Sequence, residues 1–185
     1  MLRIISGKYK GFKLNSVLSD QTRSTSHLLR KSLFDTIGKF IEESIVLDLF
    51  AGSGACGFEA LSRKAKKIYL VDHSFLAFNI INKNKNKLKL DKKKVQIFCS
   101  DAFKMLRKFI KQNLFFDLVI LDPPYFFNFY ISIFKNLEKI THEKSLIVLE
   151  IHYKTLLSSE INSFYLFKKK IFGTRKIYFY KKKFF

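Results

Sequence analysis

The chain has 185 residues, 48% of them hydrophobic and 27% charged, which suits one domain with a sizeable core and excludes a disordered or fibrous protein. Its formal charge of +20 suits a polyanionic partner, nucleic acid above all, against the alternative of a merely solvated basic surface. The excess is mostly lysine beside 22 Phe and no Trp, a pattern that AT-rich coding also produces, so part of the charge is compositional. Cys56 and Cys99 have no metal-ligand spacing and read as reduced thiols. The opening residues lack the apolar core of a secretory leader, and no apolar run is long enough to span a bilayer. A soluble, cytoplasmic protein is expected, without membrane contact.

Residues 1–25 are predicted to form a short extension, a β-hairpin in which Arg3-Ile4-Ile5 and Phe12-Lys13-Leu14 flank Lys8-Tyr9-Lys10-Gly11. Residues 26–185 are expected to be one compact unit. It opens on a helix capped by Thr25 or Ser26, with Leu29, Leu33, Ile37 and Ile41 on one face. A strand over 45–50 precedes a glycine-rich turn and a helix through Glu59-Ala60-Leu61. Further strands are predicted over 67–72, 95–99, 116–121 and 146–150, with helices from Phe75 to about Leu90 and through Met105-Leu106. Segments 165–172 and 176–180 read as a terminal hairpin turning at Gly173-Thr174. Repeated βα units closed by a hairpin predict an α/β, Rossmann-like fold, a mostly parallel seven-stranded sheet with helices on both faces. Ligands of such sheets bind beyond the carboxyl ends of the strands.

The turn Asp48-Leu49-Phe50-Ala51-Gly52-Ser53-Gly54-Ala55-Cys56-Gly57 lies at such an end. Its Gly52-x-Gly54-x-x-Gly57 spacing, with Asp72 ending the next strand, fits both nicotinamide dinucleotides and S-adenosylmethionine. Asp48 favours the latter, because a carboxylate there can meet an ammonium group but would repel a pyrophosphate. Ser100-Asp101-Ala102 ends the third strand and offers an acceptor and a backbone donor to an adenine edge. The cofactor-binding set is therefore Asp48, Phe50, Ala51, Gly52, Ser53, Gly54, Asp72, His73, Asp101 and Ala102. Asp72 is assigned to the ribose hydroxyls, and His73 borders the adenosine or simply the surface. The competing account is that these acids only cap helices.

Asp122-Pro123-Pro124-Tyr125 ends the fourth strand. The prolines lack backbone donors, so their carbonyls and the Asp122 carboxylate make an acceptor-rich concavity suited to an exocyclic amine. Tyr125 offers a stacking face for an unpaired base. Holding both N–H bonds frees the amine's lone pair and stabilises charge developing on nitrogen. Asp122, Pro123, Pro124 and Tyr125 are the candidate catalytic residues.

With these motifs in place, the chain resembles the 16S ribosomal RNA guanine-N2 methyltransferases of the RsmD type over nearly its whole length. The likeness includes Arg3-Ile4-Ile5-Ser6-Gly7, Lys10-Gly11-Phe12-Lys13-Leu14, residues 23–34, Asp48 to Gly54, Glu59-Ala60-Leu61-Ser62-Arg63 and Asp122 to Tyr125. It departs from the family pattern at Ser24, Lys31 and the Gly173-Thr174 turn. The resemblance implies the class I methyltransferase fold, S-adenosylmethionine as methyl donor, and methylation of a guanine in small-subunit RNA, within an assembling subunit. Lys8, Lys10, Lys13, Arg23, Thr25 and Arg30 are the expected RNA-binding residues, and a monomer is expected.

His27, His73, His142 and His152 form no ligand pattern, and no metal is expected. Lys83-Asn84-Lys85-Asn86-Lys87 and Lys92-Lys93-Lys94 read as solvated surface, while Lys168-Lys169-Lys170 and Lys181-Lys182-Lys183 could extend a phosphate track. Phe126, Phe127, Phe129 and Tyr130 either line a base pocket or belong to the core. Alternatives are DNA or protein-glutamine amino-methyltransferases, which often carry Asn at the position of Asp122. A catalytically silent RNA-binding assembly factor would have no need of Asp48, Asp72 and Asp122, and a nicotinamide oxidoreductase is a distant third.

Overall fold

Long apolar runs rich in Val, Ile and Leu build the centre of the sheet, as parallel strands buried on both faces require. The computed structural model describes residues 2–17, 27–124 and 129–183. In chain order it contains α1 (His27–Ile37), a 3-10 turn (Gly38–Ile41), β1 (Ile45–Asp48), α2 (Ala55–Ser62), β2 (Lys67–Asp72), α3 (Phe75–Lys87) and β3 (Val95–Cys99). Then follow α4 (Ala102–Lys111), β4 (Phe116–Leu121), α5 (Tyr130–Leu137), β5 (Thr141–His152), β6 (Glu160–Ile161), β7 (Phe164–Phe172) and β8 (Arg175–Lys182). The strand order is β3-β2-β1-β4-β5-β8-β7-β6, parallel from β3 to β5 and antiparallel beyond. The order reverses between β1 and β4, the crevice where such sheets bind ligands.

Alternation along the strands divides the core in two. Val46, Leu118, Ile120, Val148, Ile177 and Phe179 meet the apolar faces of α1, α2 and α3. Leu47, Val119, Leu121, Leu149 and Tyr178 meet α4 and α5. α4 shows the helical logic most clearly: Ala102, Met105, Leu106 and Phe109 are buried, while Lys104, Arg107, Lys108 and Lys111 point away.

The expected Rossmann-like architecture is present, with three local differences. Among the described residues the sheet has eight strands rather than seven, because the two-residue β6 pairs with β7 at the edge. The first helix ends at Ile37, and Ile41 reaches the same core from the 3-10 turn instead. The N-terminal hairpin contracts to a single antiparallel bridge, Arg3 with Lys13.

That segment is held by side chains of the helices beneath it. The fully buried carboxylate of Glu59 accepts from Ile5 N at 2.7 Å and Ser6 N at 3.1 Å. Ser62, at the far end of α2, receives Lys8 N on its carbonyl at 2.8 Å and Tyr9 N on its hydroxyl at 2.9 Å. Asn84 then ties the returning chain to the glycine turn, donating to the carbonyls of Asn15 and Ser53, both at 3.0 Å. Ile4 and Leu14 complete the first core.

Candidate active site

The acids gather where the strands end. Asp48 closes β1 opposite Ile120 of β4, and Asp122 follows two residues later, so the two flank the crevice. Asp48 is buried, and its carboxylate accepts from Gly57 N at 3.2 Å. Burial pushes its pKa up to about 7 against the pull of the Gly57 N–H, and the negative Asp122 and Asp72 push the same way. Gly52 sits at φ +53, with open space where a Cβ would stand. A buried carboxylate wanting a cation, below a turn with room above it, fits the amino-acid end of S-adenosylmethionine. The other two glycines serve packing: a Cβ on Gly54 would lie 2.7 Å from Phe58, and one on Gly57 would lie 2.2 Å from Leu70.

Asp72 braces the turn as well as facing it. One carboxylate oxygen accepts from Gly52 N at 2.8 Å and the other from Ser74 N at 2.9 Å. Each oxygen retains a lone pair for a hydroxyl. His73 is largely exposed, its Nδ1 3.7 Å from Asp72. Phe50 packs at the edge of the second core, and Ala51 is buried with its N–H on Val71 O at 2.9 Å. Asp101 does cap a helix, accepting from Lys104 N at 3.0 Å, with Ala102 buried behind it. The capping account thus holds for Asp101. It fails for Asp48 and Asp72, because Gly54 and Ser74 occupy the cap positions of α2 and α3.

Pro123 is buried and Pro124 exposed, so the motif is anchored and accessible at once. Asp122 acts on the buried Tyr130 at the start of α5, whose pKa rises through burial first and this carboxylate second. Phe129 is exposed and stands edge-on to Phe103, centroids 6.2 Å apart. Tyr125, Phe126 and Phe127 lie outside the described residues, as do Arg23 and Thr25.

The expected RNA contacts separate. Lys8 and Lys10 are exposed, but their turn docks on the far end of α2, about 12 Å from the glycine turn for eight helical residues. Lys13 is exposed two residues before Asn15, which Asn84 ties to the glycine turn. Arg30 is not a surface residue at all: it is 1% exposed, with Nη2 donating to the Arg3 carbonyl. It lies on the inner side of α1, next to Leu29 and one turn from Leu33 and Phe34. The lysine-rich end of α3 also needs correction, since Asn84 and Lys85 are buried.

Sequence reasoning missed Glu59, Asn84 and the buried Glu150–Arg175 pair at the end of β5. Asn84 was detectable, for it continues the inner stripe Ala77, Ile80, Ile81. Cys56 is buried in the first turn of α2. Its thiol is pushed well up, first by burial and then by Asp48, with Arg30 opposing and Glu150 and Asp122 adding, so it stays neutral.

Residues 2–181 match the family described as Conserved hypothetical protein 95. YlbH of Bacillus subtilis is 32% identical over 184 residues, covering 98% of this chain and 100% of its own. Ribosomal RNA small subunit methyltransferase D of Haemophilus influenzae is 37% identical over 127 residues, 69% of this chain and 65% of that protein, a little under two thirds of it. The solved structure of Escherichia coli yhhF superposes with a TM-score of 0.85 at 28% identity, covering 98% of both chains. The chain belongs to the Conserved hypothetical protein 95 family, the RsmD family of methyltransferases.

Proposed function

We propose that this protein methylates the exocyclic N2 amine of a guanine in small-subunit ribosomal RNA, with S-adenosylmethionine as donor and the assembling subunit as substrate. The observation that carries the reading is the placement of Asp122-Pro123-Pro124 across the switch crevice from Asp48 and the glycine turn. The Haemophilus relative's name supplies the RNA.

Asp48 holds the donor's ammonium, Gly52 admits its amino-acid chain, and Asp72 takes the ribose while bracing the turn. Asp101 keeps an acceptor for the adenine amine beside its cap bond. When bound, S-adenosylmethionine supplies a methyl group on a positively charged sulfur. Asp122 and the proline carbonyls hold the guanine amine by its hydrogens, turning the nitrogen lone pair out of conjugation. After transfer the nitrogen is strongly acidic, and its proton leaves to water without an obligatory base. Lys13 faces the RNA next to this end, while Lys8 and Lys10 serve the remote end, and Arg23 and Thr25 are RNA contacts by resemblance alone.

The test is to incubate the protein with S-adenosylmethionine carrying a labelled methyl group, offering unmodified small subunits, naked RNA, DNA or protein. Label in small-subunit RNA is expected. Label confined to DNA or to a protein glutamine would overturn the assignment.

A further inference from the structure

The last two long strands carry a charge for which the scheme above has no use. From Phe164 to Phe185 the sequence holds eight lysines and arginines and no acid. Five of the eight are engaged within the fold. Arg175 pairs with Glu150 and Lys183 with Glu160, while Lys182 donates to the carbonyls of Glu138 and Thr141. Lys176 reaches Thr155 O at 3.5 Å, and Lys170 donates to Ser32 Oγ at 2.9 Å. The other three, Lys168, Lys169 and Lys181, meet no carboxylate among the described residues.

The ladder sets which face each residue takes. Lys168 and Lys170 stand opposite Phe179 and Ile177, and Lys181 stands opposite Leu146, all three partners belonging to the first core. Directly paired side chains share a face, so these lysines lie on the side covered by α1, and Lys169, opposite Tyr178, lies on the other. The register shifts between Leu166 and Lys168, leaving Phe167 as the extra residue of a bulge, a device that re-aims a side chain. Lys181 Nζ stands over the Phe167 ring, 4.0 Å from its centroid, and the ring is still 49% exposed. Helix α1 reaches this face at Lys170, through Ser32, while Phe167 and Lys168 are exposed. Lysines along an edge strand keep other strands from pairing with it, but an exposed phenylalanine there invites contact. Edge protection therefore accounts for Lys169 and not for Phe167.

This face also leads to the active end. Lys170 pairs with Ile177, which pairs with Glu150, and Glu150 follows Leu149, the partner of Leu121. Lys170 is thus level with Asp122 and three strands away, about 14 Å. That span is about four nucleotides at about 3.4 Å each.

We propose that the open face of β7 and β8 holds the single-stranded RNA flanking the target guanine, Lys168 and Lys181 on its phosphates and Phe167 stacked on one base. The proposal rests on the RNA substrate of the function above. An aromatic ring among cations on a sheet face grips an unpaired strand without selecting its sequence.

The test measures binding of an oligouridine, a duplex RNA of the same length and intact small subunits over a range of salt. Lys168→Ala with Lys181→Ala should lower the salt slope for oligouridine by about 1.4, two contacts at about 0.7 each. Lys92→Ala with Lys93→Ala removes the same charge from exposed positions before β3, at the other end of the sheet order, and should leave the slope unchanged. Phe167→Leu should weaken oligouridine about tenfold and the duplex hardly at all, while Phe167→Tyr keeps wild-type affinity, because stacking needs an aromatic face and an unpaired base. Equal slope changes for the two lysine pairs would mean a diffuse basic surface and overturn the proposal, as would full affinity in Phe167→Leu. Weaker binding of small subunits with oligouridine binding intact would give this edge to a protein strand instead, which also overturns it. Oligouridine binding needs no methyl transfer, so these outcomes are separate from a wild type that labels no small-subunit RNA, which contradicts the function itself.

Discussion

The two ends of α2 are built from similar parts and do opposite work. At its start, Gly52 lies at φ +53 with open space around the missing Cβ, and Asp48 is buried with a single neutral donor, at 3.2 Å, among the described residues. At its far end, Gly7 lies at φ +79, and a Cβ there would stand 1.8 Å from the Ser62 carbonyl oxygen. Glu59 in that half is as buried as Asp48, but it accepts from two backbone N–H groups and from the cationic Arg63 Nε at 2.8 Å. A glycine in the left-handed region or a buried acid is therefore not a functional mark in itself. What distinguishes the end at Gly52 is the open space above its turn and a buried acid, Asp48, held by one neutral donor among the described residues.

The largest effect should come from Asp122, which belongs to the open end. Asp122→Ala should leave cofactor affinity nearly unchanged while single-turnover methylation drops about 10²-fold or more, the magnitude for losing one such electrostatic contact. Asp122→Asn should be intermediate, since it keeps an acceptor oxygen and no proton acceptor is required. Near-normal rates for Asp122→Ala would remove the residue from the mechanism.

Alanine at the two glycines should break the comparison in opposite senses. Gly7→Ala forces a backbone clash and should cost about 2–3 kcal/mol in urea unfolding with cofactor affinity retained once folded. Gly52→Ala meets no atom and should cost about 1 kcal/mol of strain, while weakening S-adenosylmethionine in calorimetry. Matching profiles for the two variants would show that the ends do not differ as described.

A pH series sharpens the contrast between the two acids. Unfolded, the Asp48 carboxyl titrates near 3.8, and folded near 7. Between those values the folded state binds a proton that the unfolded state has lost, so this group makes stability fall as pH rises, by at most about 1.4 kcal/mol per unit. Asp48→Asn should flatten that slope relative to wild type. Cofactor affinity should move the other way, rising with pH up to about 7 as the carboxylate forms, and this dependence too should vanish in Asp48→Asn. An unchanged profile in the variant would deny Asp48 the ammonium.

The smallest effects concern RNA. Lys13→Ala should lower the salt slope of RNA binding by about one contact, and Lys8→Ala with Lys10→Ala by less, because their turn sits at the closed end. Equal shifts would indicate RNA wrapping the whole N-terminal segment.

How much of this was legible in the sequence follows from the range of the forces involved. β2, β3 and β4 match their predicted limits because their apolar runs are bounded by charged or turn residues. β6 escaped because a two-residue edge strand exists only through its partner β7. α5 was not assigned although Tyr130, Ile133, Phe134 and Leu137 recur at helical spacing, because the aromatic run after the proline motif hides where the helix begins. Asp48 and Asp122 could be placed from their positions at strand ends. Arg30 could not, since its charge suggested surface, and only the folded N-terminal segment buries it. The division of labour along α2 was equally hidden, because it depends on contacts such as Ile5 to Glu59, which are 54 residues apart.

Nucleoside mass spectrometry tests the central claim most directly: small subunits lacking the modification are incubated with the protein and S-adenosylmethionine, and their RNA is then digested to nucleosides. The proposed function predicts N2-methylguanosine at one position, lost when Asp122→Ala replaces the wild type. A methyl group on adenine N6, on a ring nitrogen or on ribose would contradict it, because the proposed function places the methyl group on the exocyclic N2 amine of guanine.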